Sequence, residues 1–326
     1  MSFDVLCLRP EADFQRVDAL PPASLKIAYR APADADVPAL MKEVRALVIP
    51  AVGPKLPLAL FEGSNVGFVQ VTGAGLDRLD LAFLKAHGIA VANVPGGSNA
   101  AVAEYVVTAA SVLLRRFAWA DAEIRAGNYR DFRARMLADN LAGLDGLTAG
   151  IVGFGAIGVA AGEAFHKRGC SILYHDPALR DTNAGAALGA RSVSLEELLR
   201  NSDVVSLHVP LIAATEKLIG KRELEWMRPT AVLVHASRGG VVDEAALANH
   251  LEESGIMGAA IDVYSTEPPG AENALLALKG EAARRLLFTP HIAGVTRQSA
   301  TYLCRSAWRN VARVLLEKQA PLHSTF

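Results

Sequence analysis

Short runs of aliphatic and β-branched residues alternate with longer stretches of helical periodicity along most of this chain. In the first hundred residues the runs fall at 5–8, 26–29, 46–49, 67–71 and 89–93. Between them lie segments such as 77–87, where Leu76, Leu79, Leu81 and Leu84 recur at helical spacing. Strand and helix in series predict a parallel sheet covered on both faces. Strands of such a sheet are buried on both sides and read as continuous apolar runs. Pro95-Gly96-Gly97 breaks the pattern, and a long apolar helix is expected over 99–117. The alternation then restarts, with strands expected at 149–153, 171–175, 204–209, 231–236, 258–263 and 286–289. Gly169 is placed to end a helix, and Ser194 with Glu197 forms a capping-box pattern. A final helix is expected over 297–318, with Ala300, Leu303, Cys304, Ala307, Val311, Val314 and Leu315 on its apolar face.

This order predicts an α/β protein of two doubly wound parallel-sheet domains. The last helix follows the last strand, so it is expected to pack back on the N-terminal region. The domains are then a discontinuous one, 1–97 with 296–326, and an inserted one, 98–295. A length of 326 residues agrees with two domains. Half the residues are hydrophobic and 21% are charged, which excludes a disordered chain. The formal net charge of -1 gives no electrostatic reason to expect nucleic acid or an anionic membrane. Arg305, Arg309 and Arg313 form a stripe that a solvated helix face explains. No apolar run is long enough to span a bilayer, 100–114 being interrupted by Glu104. The first eight residues, with an acid and no basic start, read as a strand and not as a signal peptide. Cys7, Cys170 and Cys304 are far apart, with no metal-ligand spacing, so no metal and a reduced cytoplasmic setting are expected.

Two motifs carry chemistry. The first is Gly153-Phe154-Gly155-Ala156-Ile157-Gly158, a GxGxxG between an expected strand and an expected helix. Its glycines allow a tight turn, close approach of a pyrophosphate, and close helix–strand packing. The helix start offers free N–H groups to the phosphates. Asp176 ends the next strand, 23 residues after Gly153, where a carboxylate accepts from ribose hydroxyls and repels a 2′-phosphate. NAD is therefore expected over NADP, with nearby Arg180 as the one residue that could tolerate the extra phosphate.

The second is a set of three residues beyond late strands: Arg238, Glu267 and His291. Ligands of open α/β sheets bind beyond the carboxyl ends of the strands. Interconverting a 2-hydroxy acid and a 2-keto acid needs a group that takes or gives the hydroxyl proton, and histidine suits neutral pH. A carboxylate beside it orients the ring and favours its charged form. An arginine can hold the substrate carboxylate with two parallel hydrogen bonds. Each residue also has a plain structural use: a loop histidine beside proline, a surface arginine before two glycines, a turn glutamate before two prolines. Cys170 reads as packing, and His208 fits either a cofactor pocket or a structural hydrogen bond.

Taken together, these residues resemble the D-isomer-specific 2-hydroxy-acid dehydrogenases, which include phosphoglycerate dehydrogenases and glyoxylate/hydroxypyruvate reductases. The resemblance covers nearly the whole chain. It rests on Thr72-Gly73-Ala74-Gly75-Leu76-Asp77, Asn93-Val94-Pro95-Gly96-Gly97-Ser98-Asn99 with Val102-Ala103-Glu104, and the GxGxxG. It continues through His208-Val209-Pro210-Leu211, Ser237-Arg238-Gly239 with Val242-Asp243, Gly258–Val263 with Glu267-Pro268, and Pro290-His291-Ile292-Ala293-Gly294. The fold it implies is a Rossmann NAD-binding domain inserted in a smaller flavodoxin-like substrate domain. It implies a catalytic His291–Glu267 pair and a substrate-anchoring Arg238. It assigns Val52, Gly53, Gly73 and Ala74, with Arg238 and His291, to the substrate. To NAD it assigns Val102, Gly153, Gly155, Ala156, Ile157, Gly158, Asp176, His208, Val209, Pro210, Thr215, Ala236, Ser237, Arg238, Asp262, His291 and Gly294. Asp262 would bond the nicotinamide amide. A homodimer is implied, with the helix from Asn99 at its interface.

Two positions depart from the family. His235 stands where an asparagine is usual, three residues before Arg238. The segment Val69-Gln70-Val71-Thr72 lacks the basic residue that phosphoglycerate enzymes place nearby, which counts against a phosphorylated substrate. The given chain ends at Phe326, and no regulatory C-terminal domain is expected. The alternatives are a non-catalytic NADH-sensing protein akin to transcriptional co-repressors, a phosphoglycerate-type dehydrogenase, and a formate- or phosphite-type oxidase. Glu267 argues against the formate type, where glutamine is usual.

Overall fold

A computed structural model describes residues 3–178 and 183–326. Arg180 therefore lies outside the described residues. The chain divides into two compact units, Met1–Ser98 with Val295–Phe326, and Asn99–Gly294.

The first unit is built on five parallel strands: β1 (Val5–Cys7), β2 (Ile27–Tyr29), β3 (Ala46–Ile49), β4 (Phe68–Val71) and β5 (Ala90–Ala92). Their order is β2-β1-β3-β4-β5, the flavodoxin-like order. Both faces are covered. Val5, Cys7, Ala46, Val48 and Phe68 pack with Cys304, Trp308 and Val311 of the helix Arg297–Leu315. Leu6, Leu47, Ile49 and Val69 pack on the other face with Met41 and Leu84. This two-sided burial is why the strands read as unbroken apolar runs. The helix Leu81–Ala86 is shorter than its leucine spacing predicts, because Asp80 caps it by accepting from the Phe83 N–H at 3.0 Å. Residues 324 and 325 close the sheet edge, with Ser324 bridging Ala92 and the Thr325 N–H donating to Val91.

The second unit holds seven parallel strands: β6 (Thr148–Val152), β7 (Ser171–His175), β8 (Arg191–Ser192), β9 (Val204–Leu207), β10 (Val232–His235), β11 (Gly258–Ile261) and β12 (Leu286–Phe288). Their order is β12-β11-β10-β9-β6-β7-β8. The order reverses between β6 and β9, the switch point of a Rossmann sheet. The apolar helix stops at Leu114, short of the expected Phe117, because Arg116 adopts a left-handed conformation (φ 51°). Val106, Ala110, Leu113 and Leu114 bury against Phe165 and strand residues of this same unit, so its own core accounts for their apolar character. Two further helices follow, Phe117–Arg125 and Tyr129–Ala138, which the hydrophobic pattern does not predict. No helix among the described residues is long and apolar enough to cross a membrane.

Candidate active site

The GxGxxG forms the turn between β6 and the helix Ala156–His166. Gly153 takes φ 89°, which an L side chain rarely adopts, and at Gly158 a Cβ would stand 2.0 Å from the Gly153 carbonyl oxygen. At Gly155 a Cβ would meet nothing within 4 Å, so the turn is open where a phosphate would approach. Gly155 is also the helix N-cap, and no side chain caps the first turn. Those N–H groups suit an anion. Phe154 points into the core and stacks on Tyr174, centroids 4.2 Å apart at 16°. Asp176 accepts from the Phe154 N–H at 2.8 Å and from the Ala178 N–H at 2.9 Å, one bond on each oxygen. Each carboxylate oxygen keeps a second lone pair for a ribose hydroxyl. The turn, the open helix start and the acid therefore fit a dinucleotide.

Around the switch point, the loop after β9 packs its His208 backbone on Gly153. Its Thr215 hydroxyl donates to the Pro210 carbonyl and accepts from the Ile212 N–H at 2.9 Å. The His208 Nε2 lies 2.9 Å from the Ser206 hydroxyl, and burial pushes its pKa down to about 4. His235, the departure from the family pattern, is 2% exposed at the end of β10, and burial lowers it to about 3. Both rings are neutral at neutral pH. Ala236 and Ser237 follow, then Arg238, whose Nη1 donates to the Ser237 carbonyl at 2.8 Å. Gly239 brings this loop against the next one: a Cβ there would lie 1.8 Å from the Tyr264 carbonyl oxygen.

His291 and Glu267 meet. The His291 Nδ1 lies 2.8 Å from Glu267 Oε2, with the two side chains 26% and 30% exposed. Glu267 Oε1 accepts from the Tyr264 N–H at 3.1 Å, which fixes the carboxylate. An ionised carboxylate only accepts, so Nδ1 carries the proton and Nε2 is left for chemistry. His291 holds φ 54°, an unfavourable conformation for a non-glycine residue that costs on the order of 1 kcal/mol and needs support. Asp262 gives that support. It is 1% exposed; its carbonyl accepts the His291 N–H at 2.8 Å, and its carboxylate accepts Ile292 N–H at 2.8 Å and Ala293 N–H at 2.9 Å. Thr289 adds a hydroxyl at 2.6 Å. Three of the four lone pairs of the Asp262 carboxylate are thus used within the protein, leaving one on Oδ2.

All strands of this sheet are parallel, so the glycine-rich turn, Arg238, Glu267 and His291 share its carboxyl edge. That combination sets a glycine-rich turn that fits a dinucleotide beside a histidine–carboxylate pair and an arginine. The NAD-binding-domain model of the D-isomer-specific 2-hydroxyacid dehydrogenases matches residues 107–293. The chain belongs to this family. Among its relatives, the D-3-phosphoglycerate dehydrogenase of Archaeoglobus fulgidus is 33% identical over 72% of this chain and 42% of its own length. The chain spans less than half of that longer relative. A glyoxylate reductase of Thermococcus litoralis is 35% identical over 83% of this chain and 80% of its own. A solved D-lactate dehydrogenase from Treponema pallidum is 26% identical, with a TM-score of 0.78 over 99% of each chain. These relatives differ in the acid they are named for, so the family leaves the side chain of a substrate open.

In the first unit, the loops after β3 and β4 hold Val52, Gly53, Gly73 and Ala74. Gly73 is packed so closely that a Cβ would lie 2.7 Å from the Ala51 methyl. Three residues that bond to expected site segments or their neighbours within their own unit are not marked by any sequence pattern. Arg78 is 3% exposed and donates to the carbonyls of Pro54 (2.9 Å) and Pro50 (3.0 Å), clamping the Val52–Gly53 loop; burial lowers its pKa. Arg9 reaches the Thr72 hydroxyl at 3.1 Å, so a basic residue does stand at the end of β4, supplied from beyond β1. In the second unit, Tyr105 reaches Thr289 at 2.6 Å. No local motif marks any of them, since each partner lies far along the chain. Cys7, Cys170 and Cys304 are buried free thiols, and burial raises Cys7 to about 12 and Cys170 to about 11, against any nucleophilic role.

Proposed function

We propose that the protein is an NAD-dependent dehydrogenase that interconverts a small D-2-hydroxy acid and its 2-keto acid. The observation that carries the proposal is the His291–Glu267 hydrogen bond at the carboxyl edge that also bears the glycine-rich turn. A bound nicotinamide supplies the hydride in reduction and accepts it in oxidation. The turn Gly153–Gly158 and Asp176 would hold the dinucleotide, with Val102, His208, Val209, Pro210, Thr215, Ala236, Ser237 and Gly294 along its length. The spare lone pair of Asp262 would take the carboxamide N–H. Asp176 is the reason for proposing NAD over NADP.

Arg238 binds the substrate carboxylate with paired charge-assisted hydrogen bonds. In reduction, protonated His291 gives its Nε2 proton to the oxygen at C2; in oxidation, the neutral ring takes that proton back. Glu267 holds the ring through Nδ1 and stabilises the imidazolium. In the first unit, the reading assigns Gly73 and Ala74 to the carboxylate and Val52 and Gly53 to the side chain. Arg9 brings phosphorylated and sulfonated acids into the set to be tested. The buried free thiols suit the reducing cytoplasm. A homodimer is also part of the proposal. Phe117, Ile124, Tyr129 and Leu137 support it, because all four are 49–65% exposed on two successive helices.

Loss of NADH absorbance with glyoxylate, hydroxypyruvate, pyruvate, and phosphorylated and sulfonated 2-keto acids tests the reaction. Turnover on at least one is expected, with His291→Ala lowering kcat about a hundredfold or more while NADH still binds. Full turnover by His291→Ala removes that residue from the mechanism. Silence across the panel with NADH bound favours the non-catalytic NADH-sensing reading.

A further inference from the structure

We infer that Tyr105 positions the acid–base loop through a hydrogen-bonded chain, Tyr105 to Thr289 to Asp262, that ends on the backbone of residues 291–293. The inference rests on the reading of His291 as the proton carrier.

The direction of the chain follows from hydrogen counting. The Thr289 hydroxyl has one hydrogen, and it points to Asp262 Oδ1 at 2.6 Å, because an ionised carboxylate only accepts. The 2.6 Å contact between the Tyr105 and Thr289 oxygens must therefore be donated by Tyr105. Asp262 then gathers three successive N–H groups, of His291, Ile292 and Ala293, at 2.8, 2.8 and 2.9 Å. The Tyr264 hydroxyl pins the same segment by donating to the Thr289 carbonyl at 3.0 Å. Tyr105 stands on the helix Asn99–Leu114, part of the rigid core of the same unit. Burial raises its hydroxyl to about 12, so it remains a donor through neutral pH. The chain thus ties a left-handed, unfavourable His291 to a buried helix. Without the Tyr105 hydroxyl, the Thr289 oxygen loses its donor, and the Thr289 side chain loses the contact that holds it against Asp262. The Thr289 bond to the Asp262 carboxylate is then held less firmly, and the 291–293 backbone loses stiffness. The ring of His291 is aligned with Glu267 for a smaller fraction of the time. Arg238 is untouched, so substrate binding is spared.

Tyr105→Phe is expected to lower kcat about five- to tenfold. The KM for the keto acid and the NADH dissociation constant should stay within about twofold, which general unfolding would not spare. Thr289→Val should lose as much, Thr289→Ser should keep near wild-type kcat, and the Tyr105→Phe/Thr289→Val double variant should be no worse than Thr289→Val alone. Amide hydrogen exchange at Ile292 and Ala293 should rise in Tyr105→Phe. Wild-type kcat and exchange in Tyr105→Phe overturn the inference, as do losses that multiply in the double variant. If His291→Ala keeps its turnover while Tyr105→Phe raises exchange at 292–293, the loop anchor stands and the acid–base reading fails. An inactive His291→Ala beside an unaffected Tyr105→Phe means the reverse: the acid–base reading stands and the anchor fails.

Discussion

At the scale of single residues, Asp176 carries two duties that a substitution separates. Its oxygens each hold a backbone N–H, from Phe154 and from Ala178, so the carboxylate both ties down the glycine-rich turn and offers its remaining lone pairs to a ribose. A dianionic 2′-phosphate beside this fixed charge is repelled by several kcal/mol even at an effective dielectric of about 20. Asp176→Ser removes the charge. The ratio of kcat/KM for NADH over NADPH should fall by about one to two orders of magnitude. NADH efficiency itself should fall modestly, because the Phe154 N–H loses its anchor. Steady-state kinetics with both cofactors reads this directly, and an unchanged ratio would show that selection lies elsewhere. His291 shows the opposite arrangement: its chemistry rests on one contact to Glu267, but its backbone is held at three successive positions by Asp262.

At the scale of elements, the glycine-rich turn joins β6 to the helix Ala156–His166 with no room for a side chain at Gly158. A Cβ at Gly158 would stand 2.0 Å from the Gly153 carbonyl, and the obstacle is backbone that cannot swing aside. Gly158→Ala should therefore destabilise the protein by about 1–3 kcal/mol. It should also weaken NADH binding, because the helix start is pushed off the strand. A melting temperature and NADH titration matching the wild type would contradict this. The strands of both sheets other than β8 were legible because burial on two faces leaves few polar positions within them, and a pattern of that kind survives without knowledge of partners. The element breaks were less legible. The stretch beyond Leu114 carries helical spacing, but Arg116 turns left-handed, with its guanidinium 5.4 Å from the centroid of the Trp119 ring. The helices Phe117–Arg125 and Tyr129–Ala138 hide their apolar face because each has few buried residues among many charges. The edge strand β8 is two exposed residues long and carries no apolar signal at all. In the candidate site, the glycine-rich turn with Asp176 is a local pattern. By contrast, the Tyr105–Thr289 contact joins positions 184 apart, and only the fold can bring them together.

At the scale of the whole molecule, the histidines whose proton affinity is lowered by their surroundings predict where acid acts first. His208 and His235 are pushed down by burial to about 4 and about 3, and His250 is lowered by the same cause. All three lie in the second unit. An unfolded histidine takes up its proton near pH 6.5. Between that pH and about 4, the unfolded state binds more protons than the folded one. Stability is therefore fully present above pH 6.5 and is lost as the pH falls toward 4, by up to about 1.4 kcal/mol per pH unit for each such histidine. Asp4, held low by the Lys26 N–H and Arg45, and Asp243, held low by the Ala246 N–H and Lys217, act in a different window. Their contribution is present above the ordinary carboxylate range near pH 4 and lost only below it. Denaturant unfolding at pH 7.5, 6 and 5 should thus show a slope that His235→Asn, which restores the residue usual in the family, makes shallower by about one proton. Hydrogen exchange followed peptide by peptide locates the effect. Between pH 7 and 5, protection should fall first in peptides of 99–294, around β9 and β10, while peptides of β1, β3 and β4 hold. Earlier loss in the first unit, or a slope that His235→Asn leaves unchanged, would assign the acid sensitivity to other groups.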